Sequence, residues 1–146
     1  MPVICVNPSD ELDVKLLESL NEQNQDVRVF VSDSTPKEIS EQFIGKKATG
    51  DLKDDSHIST ASSGAYCGVF LESDYESQRT TFLEAIKTSS LKRILWTSPF
   101  EPTEEVTSVS NLVYIFYREK HGALEVILDY EGRDEVKSQI IDLVNK

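Results

Sequence analysis

The sequence predicts a doubly wound α/β fold built on a mainly parallel sheet with the strand order 3-2-1-4-5. Two observations support this prediction. Short β-branched apolar runs alternate with segments of helical periodicity, which is typical of successive βαβ units. The opening stretch also reads as a buried strand, Val3–Val6, that passes directly into an amphipathic helix. With 146 residues, the chain is expected to form a single domain, residues 1–146, around one core.

The elements of the first third follow from local periodicity and turn chemistry. A helix is expected from about Asp10 to Gln23, where leucines recur at helical spacing. Val27–Val31 is short and β-branched, and it reads as the second strand. Pro36 suits the first position of a second helix, which Gly45 is expected to end. Lys46–Leu52 is a weak third strand that enters a loop.

The middle of the chain continues the alternation. Asp54 or Asp55 can cap a short, serine-rich helix. Ala65–Leu71 is an apolar run and is expected to be the fourth strand. Tyr75 to Lys87 carries apolar residues at helical spacing, and Leu91–Thr97 is then the fifth strand.

The pattern changes beyond residue 98. Pro99 to Asn111 is polar and acidic, and it is expected to be a loop. Leu112–Tyr117 is strongly β-prone, and the apolar run Ala123–Leu128 follows across a short polar stretch. A β-hairpin that turns near His121 and Gly122, or a pair of extra strands, is therefore predicted. A final helix is expected from about Arg133.

The turn after the first strand contains no glycine. A strand-to-helix turn binds a diphosphate because bare N–H groups and the positive end of the helix dipole face the ligand, and glycines let the phosphate approach. In the G-x-x-G-x-x-G spacing, the three positions fall on Asn7, Asp10 and Asp13. Asp10 can act as the N-cap, with Asp13 completing a capping box and Glu11 beside them. A carboxylate about 5 Å from a phosphate charge costs roughly 3 kcal/mol at an effective dielectric of about 20. The turn is therefore expected to satisfy its own N–H groups and to bind no dinucleotide cofactor.

Composition excludes several classes of partner. The net charge of −11 and the pI of about 4.6 argue against nucleic acid and against anionic membrane surfaces. No apolar run is long enough for a membrane span, and the N-terminus has no signal-peptide pattern.

Cys5 and Cys67 lie in apolar strand-like runs without metal-ligand spacing, which indicates buried thiols in a reducing, cytoplasmic environment. His57 and His121 are isolated in sequence and are expected at the surface, so no metal site is predicted.

Three stretches carry a family resemblance. Val27–Asp33 (V-R-V-F-V-S-D), the G-D-L segment at Gly50–Leu52 and Leu91–Ser98 (L-K-R-I-L-W-T-S) resemble parts of the atypical and extended short-chain dehydrogenases/reductases, especially the NmrA-like branch. The resemblance covers residues 1–98 and implies a Rossmann-like dinucleotide-binding core with NAD or NADP as cofactor.

The resemblance also implies candidate cofactor-binding residues. Asp33 would bind the ribose, and Asp51 with Leu52 would edge the adenine. Ser98 stands at the position of the family's catalytic serine. In a chain that did bind dinucleotide, Asn7 and Ser9 would have to donate to the pyrophosphate.

The departures from the family pattern weigh against its chemistry. The glycine turn is absent, and the nearest match to the family's Tyr-x-x-x-Lys pair is Tyr117 with Lys120, one residue short. The leading hypothesis is therefore a non-catalytic Rossmann-like binding or interaction module, with an NAD(P)-dependent oxidoreductase or NAD(P) sensor as the alternative. A third possibility is a site for a small metabolite at the carboxyl ends of the strands. Leu112–Tyr117 and the helix that carries Tyr75 and Phe82 are candidate faces for a homodimer or a protein partner.

Overall fold

The computed structural model describes residues 1–145, which contain a seven-stranded, all-parallel sheet in the order β3-β2-β1-β4-β5-β6-β7. The predicted order of the first five strands is confirmed, and two further strands extend the sheet beyond β5. The strands are β1 Val3–Val6, β2 Val27–Ser32, β3 Lys46–Gly50, β4 Cys67–Leu71, β5 Arg93–Ser98, β6 Leu112–Phe116 and β7 Gln139–Asp142.

Helices cover both faces of the sheet, as the doubly wound prediction requires. They are α1 Glu11–Gln23, α2 Lys37–Ser40, α3 Asp55–Ala61, α4 Tyr75–Lys87, α5 Glu104–Thr107 and α6 Lys120–Glu131. The core on one face contains residues of α1 and α6, and the core on the other contains residues of α3, α4 and α5. The central strands β1, β4 and β5 are buried along their whole length, whereas the edge strand β3 is exposed at four of its five residues. No helix among residues 1–145 is long and apolar enough to cross a membrane.

Several predicted boundaries are close to the observed ones. Helix α4 begins and ends where the periodicity indicated, and Asp54 caps α3 with its side chain. The second helix is shorter than expected: Pro36 is its N-cap, and the helix ends at Ser40. Gly45 still closes this segment, with φ at +118°, and a Cβ there would lie 2.9 Å from the carbonyl oxygen of Val27. The loop expected at residues 99–111 contains the short helix α5.

The predicted hairpin is wrong, although the alternative of extra strands is correct. Residues 123–128 belong to helix α6, and β6 pairs with β5 and β7 in parallel. The buried side chains of α6 are Ala123, Leu124, Ile127 and Tyr130, which recur at i, i+1, i+4 and i+7. That spacing is helical, and it outweighs the β propensity of the valine and isoleucine in the run.

The predicted final helix is also wrong. The segment from Arg133 contains the edge strand β7, in which Ile141 packs into one core and Ile140 is half exposed on the other face. This alternation has the period of a strand.

Most side chains of the two candidate partner faces are buried inside the fold. Leu112–Tyr117 includes the fully buried centre of β6, and Phe82 is also buried. Tyr75 is the exposed member of this set, at 42%.

Candidate functional site

The carboxyl ends of β1 and β4 lie side by side, and the order of the strands reverses between them. In open α/β sheets, ligands bind in the crevice outside such a switch point. The segments that reach this edge are the turn after β1, the loops after β2 and β3, and the segments that follow β4 and β5. These segments contain five of the six residues that the sequence nominated as candidates for cofactor binding, and the sixth, Ser98, is the last residue of β5.

Asn7 ends β1 in the left-handed backbone region, with φ at +71°. Asparagine tolerates this region better than most residues with a side chain, so the turn keeps a glycine-like conformation without a glycine. The Asn7 side chain is buried, and its amide donates to the carbonyl oxygen of Leu71 at 2.8 Å. Asn7 therefore ties β1 to the end of β4.

The N-terminus of α1 is capped by the chain's own carboxylates. Asp10 is the N-cap, and its Oδ1 accepts from the N–H of Asp13 at 3.0 Å. The carboxylate of Asp13, which has no exposed surface, accepts from the N–H of Ser9 at 2.7 Å. The predicted self-capping by Asp10 and Asp13 is present, with the reach-back bond going to Ser9 rather than to Asp10.

A lysine from the far end of the chain completes this cluster. The Nζ of Lys120, at the start of α6, lies 2.8 Å from both carboxylate oxygens of Asp13 and 3.0 Å from Oδ2 of Asp10. The contact to Oδ2 of Asp13 is a directed hydrogen bond, whereas the contact to Oδ1 is ionic only. An ammonium group thus lies at the helix N-terminus, where a phosphate would need its counter-charge.

For each of these three groups, burial and ion pairing shift the pKa in opposite directions. Burial raises the pKa of Asp13, and the attraction of Lys120 does not fully offset it. For Asp10, partial burial favours the neutral acid, but hydrogen bonds from Lys120 and Asp13 outweigh it and lower the pKa. For Lys120, burial favours the neutral amine, but the two carboxylates outweigh it and raise the pKa. The ammonium is therefore held in its charged form.

An open polar cleft of about 440 Å³ lies at the carboxyl ends of β2 and β3. Asp33, Asp51 and Leu52 line it, so three of the predicted candidates do come together. The remaining lining residues are hydrophilic: Ser32, Ser34, Lys53, Ser77 and Gln78. Asn7 and Ser9 are not among the lining residues: Asn7 is buried against β4, and Ser9 is exposed outside the cleft, with its N–H bonded to Asp13.

A second charged cluster is buried between the ends of β4, β5 and β6. Arg79 of α4 binds the Glu72 carboxylate through two nitrogens, at 3.1 Å from Nε and 2.6 Å from Nη2. Trp96 donates its indole N–H to the same carboxylate at 3.1 Å. The two charged side chains are at most 5% exposed. This geometry satisfies a carboxylate that would otherwise be costly to bury.

The same cluster fixes the segment that follows β5. Arg79 donates to the Glu101 carbonyl oxygen at 2.8 Å and to the hydroxyl of Tyr114, which in turn donates to the Phe100 carbonyl oxygen. Ser98 is fully buried, and its Oγ accepts from the N–H of Phe100 at 2.9 Å. Burial raises the pKa of Tyr114. The Ser98 hydroxyl is therefore bonded within the fold and does not face the open cleft.

The remaining chemically active side chains are held inside the fold or lie singly on its surface. Burial raises the pKa of the Cys67 thiol to about 12 and that of Cys5 well above its usual value, so both free thiols are protonated at neutral pH. His57 and His121 are exposed, as predicted. Within the described part of the chain, no group of three or more His, Cys, Asp or Glu side chains could hold a metal ion.

Sequence reasoning missed Lys120, Glu72 and the partners of Arg79. Lys120 was overlooked because the stretch after β6 was read as a hairpin, and the helical spacing of the buried residues of α6 was the signal that could have placed it. Arg79 carried a signal as well, because a charged residue on the apolar face of a helix requires a partner when it is buried. Glu72, directly after the apolar strand β4, was the carboxylate within reach.

The strand order and the helices on both faces of the sheet define a Rossmann-type, doubly wound α/β fold. No family model matches the sequence, and no curated protein matches it. Solved structures with similar folds include proteins named as a short-chain dehydrogenase/reductase, an NADPH-dependent quinone oxidoreductase and a putative epimerase, so the resemblance seen in the sequence is confirmed at the level of the fold.

A short-chain dehydrogenase/reductase from Veillonella parvula DSM 2008 matches with a TM-score of 0.72 and 9% identity, covering 97% of this chain and 93% of that one. A form of a Veillonella parvula DSM 2008 protein of this class has been solved in complex with NADP, with a TM-score of 0.69 and 10% identity over 97% and 93% of the two chains. An NADPH-dependent quinone oxidoreductase from Escherichia coli matches with a TM-score of 0.68 and 12% identity, covering 96% of this chain and 67% of that one. Identities this low establish a shared fold only.

Proposed function

We propose that this chain is a non-catalytic Rossmann-like binding or interaction module in which a self-capped turn replaces the glycine-rich dinucleotide turn. The observation that carries the proposal is the buried carboxylate of Asp13 at the N-terminus of α1, bonded to the Ser9 N–H and paired with Lys120. A dinucleotide would have to displace the lysine or place its diphosphate beside two carboxylates. At about 5 Å each such contact costs roughly 3 kcal/mol at an effective dielectric of about 20, which is about a hundredfold in affinity.

The assignment as non-catalytic rests on the side chains that could do chemistry. Ser98 is buried and bonded to Phe100, so its hydroxyl is not presented to the cleft. Tyr117 is 8% exposed, and Lys120, its nearest possible partner in a Tyr-Lys pair, is bound by Asp10 and Asp13. A proton donor and a cation for hydride transfer are therefore not available in the arrangement that the family's chemistry uses.

The cleft at the ends of β2 and β3 indicates the kind of small ligand that the module would bind. The carboxylates of Asp33 and Asp51 accept hydrogen bonds, and the serine hydroxyls can both donate and accept. With two carboxylates against the single ammonium group of Lys53, such a lining suits a small, hydroxyl-bearing molecule without phosphate groups, such as a nucleoside or a sugar. The cleft of about 440 Å³ is large enough for a molecule of that size.

Thermal unfolding in the presence of defined ligands tests the proposal. A ligand at a hundred times its Kd adds about 2.7 kcal/mol to the free energy of unfolding, which raises the melting temperature by several degrees. We expect no such shift with NAD, NADH, NADP or NADPH at millimolar concentration, because the self-capped turn does not bind their diphosphate. Adenosine, which lacks the diphosphate, should raise the melting temperature. A stabilising shift with any of the dinucleotides would overturn the proposed loss of the diphosphate site.

Two variants separate binding in the cleft from binding elsewhere. Asp33→Asn should abolish the adenosine shift because it removes an acceptor from the cleft. Glu38→Gln, which removes an exposed acid on α2 outside the cleft, should leave that shift unchanged. A shift that survives Asp33→Asn at full size would rule out this cleft as the site.

The alternative function is an NAD(P)-dependent oxidoreductase or an NAD(P) sensor. It is favoured by the NADP complex of one similar structure and by the glycine-like backbone of Asn7. In that case the diphosphate displaces Lys120 from Asp13, and Ser9 donates to it in place of its bond to Asp13. Asp13→Asn should then tighten a dinucleotide binding that the wild type already shows, whereas under the leading proposal the wild type binds no dinucleotide.

We also propose that the protein works in a reducing compartment such as the cytoplasm. Cys5 and Cys67 are free thiols that lie in neighbouring strands and pack inside the same core. Both thiols are buried, so neither is placed to form an intermolecular disulfide bridge.

A further inference from the structure

Arg93 is a buried cation at the amino edge of the sheet, opposite to the edge that carries the candidate cofactor-binding residues. It is the first residue of β5, and it is only 5% exposed. Its Nη1 donates to the carbonyl oxygens of Tyr130 and Glu131 at 3.2 and 3.1 Å, and its Nη2 donates to that of Asp134 at 3.3 Å. Arg93 therefore binds the end of α6, where the helix dipole favours a cation.

The partners of Arg93 differ from those of Arg79, which is also a buried arginine. Arg79 binds the Glu72 carboxylate with the edge of its guanidinium that carries Nε and Nη2. Arg93 has only carbonyl partners: within residues 1–145 it forms no ion pair, and its Nε–H has no acceptor. The nearby Glu131 carboxylate accepts from the side-chain amide of Gln23 at 2.7 Å instead. Because a carbonyl oxygen carries only a partial charge, the charge of the Arg93 guanidinium is incompletely balanced, and its carboxylate-binding edge is not used by the described chain.

A cavity of about 400 Å³ opens beside Arg93, between the amino ends of the strands and the segment that follows α6. Its lining includes three basic residues, Lys92, Arg93 and Lys137, against two acidic ones, Asp134 and Glu135. The local charge is therefore positive, although the chain as a whole carries −11. Lys92 and Lys137 are exposed, so their flexible side chains can bring an ammonium group to a ligand. This cavity, which we call the Arg93 cavity, suits a small anion.

Asn111 lies at the same cavity in an unfavourable backbone conformation. It precedes β6 with φ at +59°, in the left-handed region, and residues held in this region often occur at ligand sites. Its backbone is fixed, because its carbonyl oxygen accepts from the N–H of Ile94 at 3.0 Å and its N–H donates to Oγ of Ser138 at 2.7 Å. Its side-chain amide makes no hydrogen bond within residues 1–145. The amide can therefore donate to an anion in the cavity.

We propose that the Arg93 cavity is a binding site for a small dicarboxylate. One carboxylate of the ligand accepts from Nε and Nη2 of Arg93, in the two-bond arrangement that Arg79 forms with Glu72. The other carboxylate lies towards the exposed ammonium groups of Lys92 and Lys137. A ligand of about four carbon atoms is expected, because a cavity of about 400 Å³ is at the small end of the range of ligand pockets.

The charges of the lining favour a dicarboxylate over a phosphate. A phosphate concentrates a charge of about −2 on one group, and that group would stand near the carboxylates of Asp134 and Glu135. A dicarboxylate divides the same charge between Arg93 at one end and the two lysines at the other. A planar carboxylate also matches the Nε and Nη2 edge of a guanidinium better than a tetrahedral group that must share its charge with distant lysines.

The Arg93 cavity is separate from the cleft of the proposed function. Arg93 and Ser98 are the first and last residues of β5, and a strand of this length spans about 17 Å. The cavity lies at the amino ends of the strands, whereas the cleft lies at the carboxyl ends. Dicarboxylate binding is therefore tested independently of the ligand proposed for the cleft.

Isothermal titration calorimetry at constant ionic strength tests the proposal, with succinate as the dicarboxylate. Lys92→Gln combined with Lys137→Gln should weaken succinate binding by about fivefold, the upper range for an exposed ion pair. Lys15→Gln combined with Lys47→Gln removes the same charge from exposed positions outside the cavity, and it should leave succinate binding unchanged. Acetate, which lacks the second carboxylate, and inorganic phosphate should both bind the wild type more weakly than succinate.

The NMR signals of arginine side chains test the contact with Arg93 directly. In isotopically labelled protein, the Nε–H signal of Arg93 should move as succinate is added, whereas that of Arg79, which is already bound to Glu72, should not. Arg93→Lys identifies the signal by its loss. This variant should weaken succinate binding by about tenfold or more, because lysine cannot form the two-bond contact. Asn111→Gly keeps the left-handed backbone and removes only the amide, so it should weaken binding in a protein that keeps its fold.

Three results would overturn the proposal. One is an Arg93 Nε–H signal that stays in place as succinate is added, and another is equal succinate binding by the two double lysine variants. The third is binding of acetate or phosphate as tight as that of succinate, which would contradict a dicarboxylate site. Circular dichroism melts of each variant verify the fold. Should Arg93→Lys fail to fold, the lysine variants, which change only exposed side chains, still decide the outcome.

Discussion

Two carboxylates in this chain, those of Asp13 and Glu72, have no exposed side-chain surface, and each is matched to one basic residue. An ionised carboxylate loses several kcal/mol of hydration when it is buried, so it is tolerated only with a well-placed partner. Lys120 and Arg79 supply those partners from other parts of the chain. Both pairs lie at the carboxyl edge of the sheet, where relatives of this fold bind their ligands. These two positions on the edge are thus occupied by the protein's own charges, while the cleft at the ends of β2 and β3 remains open.

Removing one member of the deeper pair should be strongly destabilising. Glu72→Gln leaves the Arg79 guanidinium buried without a counter-charge, and we expect the free energy of unfolding to fall by about 3–5 kcal/mol. Asp129→Asn breaks the exposed ion pair with Arg133 and should change little. Urea unfolding at pH 7 measures both. Equal losses of unfolding free energy in the two variants would show that the burial of Glu72 does not determine the cost of removing its charge.

The Asp10 carboxyl should make stability depend on pH in a defined direction. Its pKa is lowered in the fold: partial burial opposes ionisation, but hydrogen bonds from Lys120 and Asp13 prevail. A depressed pKa adds stability above the unfolded-state value of about 3.9, and this stability is lost as pH falls through the folded pKa. Asp10→Asn keeps the helix cap but loses the charge. The wild type should therefore be more stable than the variant at pH 7, and the difference should shrink below about pH 4 in urea titrations. A difference that stays constant with pH would contradict this assignment.

At the scale of elements, local signals were sufficient for β1 to β5 and for α1, α3 and α4. Their residues alternate or recur cleanly, and caps such as Asp10 and Asp54 mark where helices begin. In the last third, the β-prone run Leu112–Tyr117 was predicted and forms β6, whereas α5, α6 and β7 were missed because tertiary packing decides there between helix, strand and loop. The run at 123–128 has β propensity, yet its packing against the sheet is helical. The same limit applies to the candidate site. The self-capping by Asp10 and Asp13 could be predicted because the two residues are close in sequence, whereas Lys120 could be placed in the site only once α6 is recognised as a helix.

Two glycines in regular elements should respond oppositely to alanine. Gly122 lies in α6, and the nearest atom to an added Cβ is the Leu143 side chain at 4.0 Å, an ordinary contact. Gly122→Ala should stabilise the protein by about 0.5–1 kcal/mol, because glycine costs more entropy in a helix. Gly68 lies in the buried strand β4, where a Cβ would come within 2.7 Å of Leu91 and 2.8 Å of Phe70. Gly68→Ala should destabilise by about 1–3 kcal/mol. Melting curves that moved in the same direction for both variants would contradict the packing described here.

At the scale of the whole molecule, the chain that folds into this all-parallel sheet carries a net charge of −11. Charge of this size keeps proteins apart in solution and also strains the compact state by self-repulsion. The excess comes from composition, because 26 acidic residues stand against 15 basic ones, and Lys120 is already paired with Asp10 and Asp13 inside the site. The excess acid is therefore spread over a surface with few basic groups to offset it.

Salt should consequently stabilise this protein at neutral pH. Raising ionic strength from 0.01 M to 0.1 M shortens the Debye length from about 30 Å to about 10 Å, which screens the repulsion between distant acids more than the close ion pairs. We expect the melting temperature at pH 7 to rise with sodium chloride. Calorimetry at several protein concentrations separates this effect from any contribution of association. Near pH 4.6, where the net charge approaches zero, the same addition of salt should have little effect. An equal rise at both pH values would point to preferential exclusion of salt from the surface rather than to relief of charge repulsion.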